Sequence, residues 1–336
     1  MNTVQYWFKN ARYRSLAQSV MPAILAAVMA SNNEGFVWWT ALLAIVGVAM
    51  AHLAMNLADD WFDYRVDMLG DRDKVTRQGF RAMMVKDPYL SSGEQTLKST
   101  ALAIAAFLAL ALGCGLAIWW KMDFNWSIPL IVAICGFLGA FYSAPPLKLA
   151  YRGLGELVIG IIFGPLLMSG VYVASCGSLD WGIVLTGIPV GMLVTDILFT
   201  HSFIDLKGDE ASNKMTFARL LGSTGACLTC SIILIFVPFL LVVLAVCTGY
   251  LHPAYLAVLV MLPRGVWLFR SLLLFGKGEL MEVERPAWWL GSMPDWKGIR
   301  AAGIDWFMIR WLTARNLLSG FCFVFAAVAI ILRIIG

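Results

Sequence analysis

The chain has 336 residues, 60% of them hydrophobic and 14% charged, with a formal net charge of +4. Its mean hydropathy is +0.78. Soluble globular domains are nearer half apolar and a quarter charged, so a soluble fold is excluded, and so small a positive charge gives no reason to expect a nucleic-acid partner.

Residues 4–14 predict a short interfacial helix carrying Trp7, Phe8 and Tyr13. Its basic, aromatic start and the lack of a small-residue cleavage site give no sign of a removable signal peptide. Nine apolar stretches follow, at 16–31, 36–59, 97–120, 128–143, 153–175, 181–203, 225–251, 253–274 and 311–335. Most are close to the roughly 20 residues a helix needs to cross a bilayer. The expectation is an all-α polytopic membrane protein with about nine transmembrane helices, folded as a single domain over 1–336. Its larger polar loops fall at about 60–96, 204–224 and 275–310.

The basic residues orient this map. Of the 25 Lys and Arg, all except Lys121 and Arg333 are assigned to the N-terminal segment or to the loops and span ends after the even-numbered spans, with Arg264 the soft spot because it falls within the stretch 253–274 and is a candidate for membrane depth. Basic loops stay on the cytoplasmic side. The chain is therefore expected in a cell (inner) membrane, with the N-terminus and the larger loops in the cytoplasm.

Two acidic clusters fall on that same face. In Asn56-Leu57-Ala58-Asp59-Asp60-Trp61-Phe62-Asp63-Tyr64-Arg65-Val66-Asp67, a continuing helix places His52, Asn56, Asp60, Asp63 and Asp67 at spacings of four, four, three and four. Residues three and four apart share a helix face. Crowded carboxylates repel unless cations sit among them. Hard divalent cations with oxygen ligands suit such a stripe, and Mg²⁺ usually leaves positions for substrate phosphates. The second cluster is His201-Ser202-Phe203-Ile204-Asp205-Leu206-Lys207-Gly208-Asp209-Glu210, in which His201, Asp205 and Asp209 are spaced by four. Asp196, further up the same span, is expected at membrane depth, where an acid is costly and is either functional or a helix-pairing residue. Lys74 and Arg77, in the basic loop 67–96, can neutralise a diphosphate whose oxygens a metal bridges. An allylic diphosphate would ionise there to a carbocation, which needs an apolar cavity with aromatic faces nearby. Phe141, Tyr142, Phe163 and Tyr172 are candidate walls.

Other motifs are less informative. Cys227 and Cys230 form a CxxC inside a span, read as small core residues. The segment 275–304, with Trp288, Trp289 and Trp296, reads as an amphipathic cover on the membrane surface. A divalent-cation transporter is the contrasting class, but no paired repeats or broken helices are evident. The Asp-Gly-x-x-Ala-Arg opening of the CDP-alcohol phosphotransferases is absent.

The segment from Asn56 to Asp67 resembles the first aspartate-rich motif of the UbiA superfamily of intramembrane prenyltransferases, and most closely its menaquinone branch, the 1,4-dihydroxy-2-naphthoate polyprenyltransferases. Tyr142-Ser143-Ala144-Pro145-Pro146-Leu147-Lys148, followed by Tyr151-Arg152-Gly153-Leu154-Gly155-Glu156 and Phe163-Gly164-Pro165-Leu166, is similar to that branch's central signature. Asp205, Asp209, Lys214, Thr216 and Arg219 fit the second motif. The resemblance implies a nine-helix bundle, two Mg²⁺ ions, a polyprenyl diphosphate donor and an aromatic acceptor, with no obligate protein partner. It implies metal and diphosphate ligands at Asn56, Asp60 and Asp63, helped by Asp59 and Asp67, and at Asp205 and Asp209. Substrate contacts are implied at Lys148 and Lys214, and Tyr142 and His201 are further candidates. His201-Ser202-Phe203-Ile204-Asp205 stands where the branch tends to have Asn-Asn-x-Arg-Asp, so the acceptor stays open between the naphthoate, another ring and a lipid alcohol.

Overall fold

A computed structural model of the chain describes residues 3–67, 88–211, 214–279 and 281–335. Among the described residues the regular structure is helical, without a strand. Ten helices carry the fold: α1 (Thr3–Asn10), α2 (Ala17–Ala30), α3 (Trp38–Asp67), α4 (Leu97–Lys121), α5 (Ser127–Ser143), α6 (Gly155–Cys176), α7 (Trp181–Ile204), α8 (Thr224–Cys247), α9 (Pro253–Gly276) and α10 (Asp305–Ile335). Seven of them, α3, α4 and α6 to α10, are long and apolar enough to cross a membrane, and α5 is a shorter apolar helix. The nine expected spans are thus approximately met: α2, in the expected stretch 16–31, has 14 residues and reaches about 21 Å, short of a bilayer core. In a bilayer only helices or closed barrels satisfy every backbone group.

The chain divides into two compact units. The first holds described residues 3–67, 88–149 and 165–187, and the second holds 150–164, 188–211, 214–279 and 281–335. The passage within α6 falls at a break in the helix. Pro165 lacks an N–H, the turn widens over Ile162–Leu166, and Gly164 takes a non-helical φ −89, ψ −105.

In the first unit, α3 packs against α4, and α6 packs against α2, α3 and α5. Hydrophobic burial drives little association between helices already in lipid, so close packing matters there. Gly47 supplies it: a Cβ there would lie 3.3 Å from Cys114 Cβ. Trp38, Trp120, Trp126 and Trp181, at the start of α3, the end of α4 and the starts of α5 and α7, are largely exposed. Such a ring of tryptophans marks a membrane boundary. From Trp38 the helix rises about 33 Å to Asp60, roughly one bilayer core at about 1.5 Å per residue. The first acidic motif therefore stands at the opposite boundary.

At that boundary α1 seals against α3 and α4. Ala11, Leu53, Ala54, Leu57, Tyr89, Leu90, Ala103 and Phe107 form one buried cluster, with Trp7 and Phe8 packed on it. Trp7 meets Tyr89 edge-on at 6.0 Å and Phe8 meets Phe107 at 5.4 Å. The predicted interfacial helix 4–14 is thus present but shorter. It ends at Asn10, because Arg12 turns the chain with a left-handed φ 57, ψ 50 before a 3₁₀ turn at Tyr13–Leu16.

In the second unit, α8, α9 and α10 pack on one another. Gly160 brings α6 against α7 so tightly that a Cβ would sit 2.7 Å from the Gly191 carbonyl oxygen. The helix α9 begins as a 3₁₀ segment, Pro253–Met261, and continues as α-helix over Leu262–Gly276 with Pro263 in its first turn.

Candidate active site

The first acidic motif lies on one uninterrupted helix, α3, so the predicted stripe forms. His52 is buried, with Nε2 3.2 Å from Ser15 Oγ and Nδ1 2.6 Å from Ser19 Oγ. It ties α3 to the start of α2. One turn on, Asn56 donates its side-chain amide to the Ala11 carbonyl at 2.9 Å and to Ser15 Oγ at 3.0 Å. Asp60 and Asp63 follow, both buried.

Arg12 brings a cation to this motif. Its guanidinium lies 3.2 Å from Asp60 and 3.8 Å from Asp59, and it donates to the Asn56 carbonyl at 2.9 Å. Burial works against its charge, but Asp60 first and Asp59 next outweigh that, and the guanidinium is held above its ordinary pKa. Its left-handed backbone is uncommon for a residue with a Cβ, and such strain collects at functional sites. Tyr89 donates to Asp60 Oδ2 at 3.1 Å, and Ser143, at the end of α5, donates to Asp59 Oδ1 at 2.6 Å. Arg12, Tyr89 and Ser143 were not singled out as ligands of the acids from sequence. Arg12 could be seen only as one of several basic residues, and Tyr89 lies in a loop with no periodicity.

The second motif sits where a helix ends. The helix α7 stops at Ile204, Asp205 forms the turn, and a short helix, Leu206–Ala211, carries Asp209. The backbone still links the acids: Asp205 N–H donates to the His201 carbonyl at 3.0 Å, and Asp209 N–H to the Asp205 carbonyl at 2.9 Å. Both carboxylates are buried. Gly208 makes room for the Asp205 carboxylate, which a Cβ there would overlap. Arg219 donates to the carbonyls of Asp209 at 3.2 Å and Lys214 at 2.7 Å. The Lys214 ammonium lies over the Tyr151 ring at 5.7 Å. Nearby, buried Glu156 accepts from Ser202 Oγ at 2.7 Å and from the Phe217 N–H at 3.1 Å.

The remaining candidates are placed less centrally. His201 stands edge-on to Phe307 at 5.0 Å. Tyr142 and Lys148 are half-buried in the first unit, and Lys148 has a left-handed φ of 46. Asp67 ends α3, but its side chain is outside the described residues, as are Lys74 and Arg77. Phe141 packs on Phe137 at 4.8 Å. Tyr172 is buried and Phe163 half-buried. Asp196 is fully buried about 12 Å before the end of α7. Neither of its oxygens has a hydrogen-bond partner among the described residues. Cys227 is buried and Cys230 half-buried, both unbridged.

The donor set suits a hard cation. Asp60 with Asp63, and Asp205 with Asp209, are carboxylate pairs one helical turn apart. Among the described residues no three His, Cys, Asp or Glu side chains group as a metal cage. Pairs rather than cages are what Mg²⁺ uses, since it keeps waters and completes its shell with substrate phosphates.

Residues 19–291 match the UbiA prenyltransferase family. The chain belongs to that family and is a prenyl-transferring enzyme. Among curated relatives, it is 27% identical over 225 residues to 1,4-dihydroxy-2-naphthoate octaprenyltransferase of Mycobacterium tuberculosis (strain ATCC 25618 / H37Rv), covering 66% of this chain and 72% of the relative. Among solved structures, a digeranylgeranylglyceryl phosphate synthase shares the fold with a TM-score of 0.63 at 16% identity, covering 98% of this chain and 99% of that one. A UbiA homolog from Archaeoglobus fulgidus bound to GPP and Mg²⁺ aligns with a TM-score of 0.54 at 18% identity, covering 96% and 99%.

Proposed function

We propose that the chain catalyses Mg²⁺-dependent transfer of a polyprenyl group from polyprenyl diphosphate to 1,4-dihydroxy-2-naphthoate, a step of menaquinone biosynthesis. The observation that carries the reading is the two buried carboxylate pairs, each at the far end of a long apolar helix. The similarity to a naphthoate octaprenyltransferase supports this acceptor, and with it a quinone pathway. On this reading the whole chain, 1–336, works as one domain in a cell membrane, with its acidic motifs on the cytoplasmic side.

Asn56, Asp60 and Asp63, with Asp67, would hold one Mg²⁺, and Asp205 and Asp209 another. Held by these residues, Mg²⁺ would supply the positive charge that makes the diphosphate a better leaving group. Lys148 and Lys214 add cationic partners for its oxygens, as do Lys74 and Arg77 in the loop 67–96. Tyr142 and His201 line the substrate. Burial of the motifs keeps water from the allylic cation that forms when the C–O bond breaks. The naphthoate ring carbon then bonds to the prenyl carbon. Its carboxyl group leaves as CO₂ and the diphosphate as pyrophosphate, so atoms and charge balance.

The test is pyrophosphate release by purified protein in nanodiscs with polyprenyl diphosphate and Mg²⁺, with and without the naphthoate. Naphthoate-dependent release with a prenylated product by mass spectrometry is expected, abolished by EDTA and restored by Mg²⁺. Release indifferent to the naphthoate would move the acceptor to another ring or a lipid alcohol. Full activity in metal-free buffer would reject the Mg²⁺ assignment.

A further inference from the structure

The segment joining α9 to α10 has a construction the prenyl transfer does not use. It is pinned to those helices through its backbone. Arg264 of α9 donates to the Trp289 carbonyl at 2.8 Å, and Asn316 of α10 donates to the Leu290 carbonyl at 3.1 Å and the Ser292 carbonyl at 2.9 Å. Gly291, at φ 94, fits against the Asn316 side chain, where a Cβ would lie 2.8 Å from three of its atoms. Irregular backbone near a bilayer needs such internal partners.

The pins also set the depth of the segment. From Asn316 to the end of α10 at Ile335 the helix runs about 28 Å, one bilayer core, at about 1.5 Å per residue. The stretch Asp305 to Asn316 therefore stands about 16 Å beyond the core, and the pinned segment rests at its foot, at the membrane surface. There Trp288 is 90% exposed, the placement of an interfacial anchor. Beside it opens a cleft of about 1020 Å³ lined by Arg285, Lys297 and Arg300, with Trp288, Trp296 and the single acid Glu284. Trp296 Nε1 donates to the Glu284 carbonyl at 3.2 Å and closes one wall.

We propose that this cleft binds the headgroup of an anionic phospholipid from the surrounding bilayer, with Arg285, Lys297 and Arg300 taking the phosphate and Trp288 lying against the acyl region. Three cations against one acid favour an anion. The depth of the cleft and the exposed indole favour one that carries chains. The test is native mass spectrometry of the full chain in detergent, titrated with phosphatidylglycerol, with phosphatidylcholine, and with inorganic phosphate as competitor.

Wild type is expected to retain one phosphatidylglycerol that Arg285→Gln/Lys297→Gln binds roughly thirtyfold more weakly, at about 1 kcal/mol per basic residue near a membrane. Phosphatidylcholine should be held weakly by both proteins, and inorganic phosphate should not displace the lipid. Neither Arg285 nor Lys297 holds the segment's backbone in a hydrogen bond described above, and circular dichroism checks that the double variant folds. Trp288→Ala, which alters no charge, should lower lipid retention on its own. Equal retention of phosphatidylglycerol by wild type and both variants would overturn the proposal. So would equal retention of the two lipids, or displacement by free phosphate, which would make the cleft a plain anion site.

Discussion

The two acidic motifs solve the same electrostatic problem in different ways. The first is carried on an unbroken 30-residue helix and is held through its side chains: Arg12 on Asp60 and Asp59, Tyr89 on Asp60, Ser143 on Asp59. The second lies past a helix end and is held through its backbone, with Arg219 on the carbonyls of Asp209 and Lys214 and Gly208 clearing space beside Asp205. A side-chain cation neutralises carboxylates directly and competes with a metal for them. An arginine spent on carbonyls shapes the loop and leaves the carboxylates to other partners. The first motif thus meets an arginine at its carboxylates, and the second has an arginine that shapes the loop carrying them.

The largest effect expected is loss of the acids themselves. Asp60→Ala and Asp205→Ala should each lower turnover by about a thousandfold or more, on the order of 4 kcal/mol of transition-state stabilisation, with helix content by circular dichroism unchanged. Near wild-type activity in one of them would break the equivalence of the motifs. Next comes the contrast between their arginines. Arg12→Ala removes the cation beside Asp60 and should lower the melting temperature by several degrees without Mg²⁺, at about 1–3 kcal/mol for a hydrogen-bonded charged group. Millimolar Mg²⁺ should restore it. Arg219→Ala should lower the melting temperature as well, without rescue, because Mg²⁺ cannot replace donors to carbonyls. Equal rescue of both would erase the distinction.

Smaller effects sharpen it further. Gly208→Ala forces the Asp205 carboxylate aside and should reduce activity about tenfold, at roughly 1–1.5 kcal/mol for an off-rotamer side chain. Its readout is a raised Mg²⁺ requirement at nearly constant melting temperature. Smallest is Asp196→Asn. Asp196 lies about 12 Å back along α7 from the end where the second motif begins. Turnover within about threefold of wild type is expected, measured by pyrophosphate release. A loss comparable to that of Asp205→Ala would bring Asp196 into the chemistry.

Much of this was legible in one dimension. Apolar runs near 20 residues reveal spans because lipid leaves a chain few other folds, and the predicted stretches 97–120 and 128–143 match α4 and α5 within a residue or two. The i, i+4 spacing of His52, Asn56 and Asp60 is legible because a continuing helix turns it into a face. Where the helix does not continue, spacing misleads by a little. Asp205 keeps its bond to His201 but sits in a turn. The interfacial helix ends at Asn10 rather than near Arg14 because Arg12 adopts a left-handed turn that nothing local in its neighbours requires.

What the sequence alone determined is the membrane class, the approximate number of apolar helices, the residue types of both acidic motifs and the helix face of the first, all of which follow from local periodicity and hydropathy. Only the tertiary structure decided which groups meet those acids. Arg12 reaches Asp60 across 48 positions of sequence, and Tyr89 reaches it across 29, because α1 and the Pro88–Ser91 turn dock on the same buried cluster. Likewise Asn316 holds Leu290 from 26 residues away and so fixes the segment before α10 against that helix. Such pairings depend on helix packing, and packing between distant segments leaves no period in the chain to read.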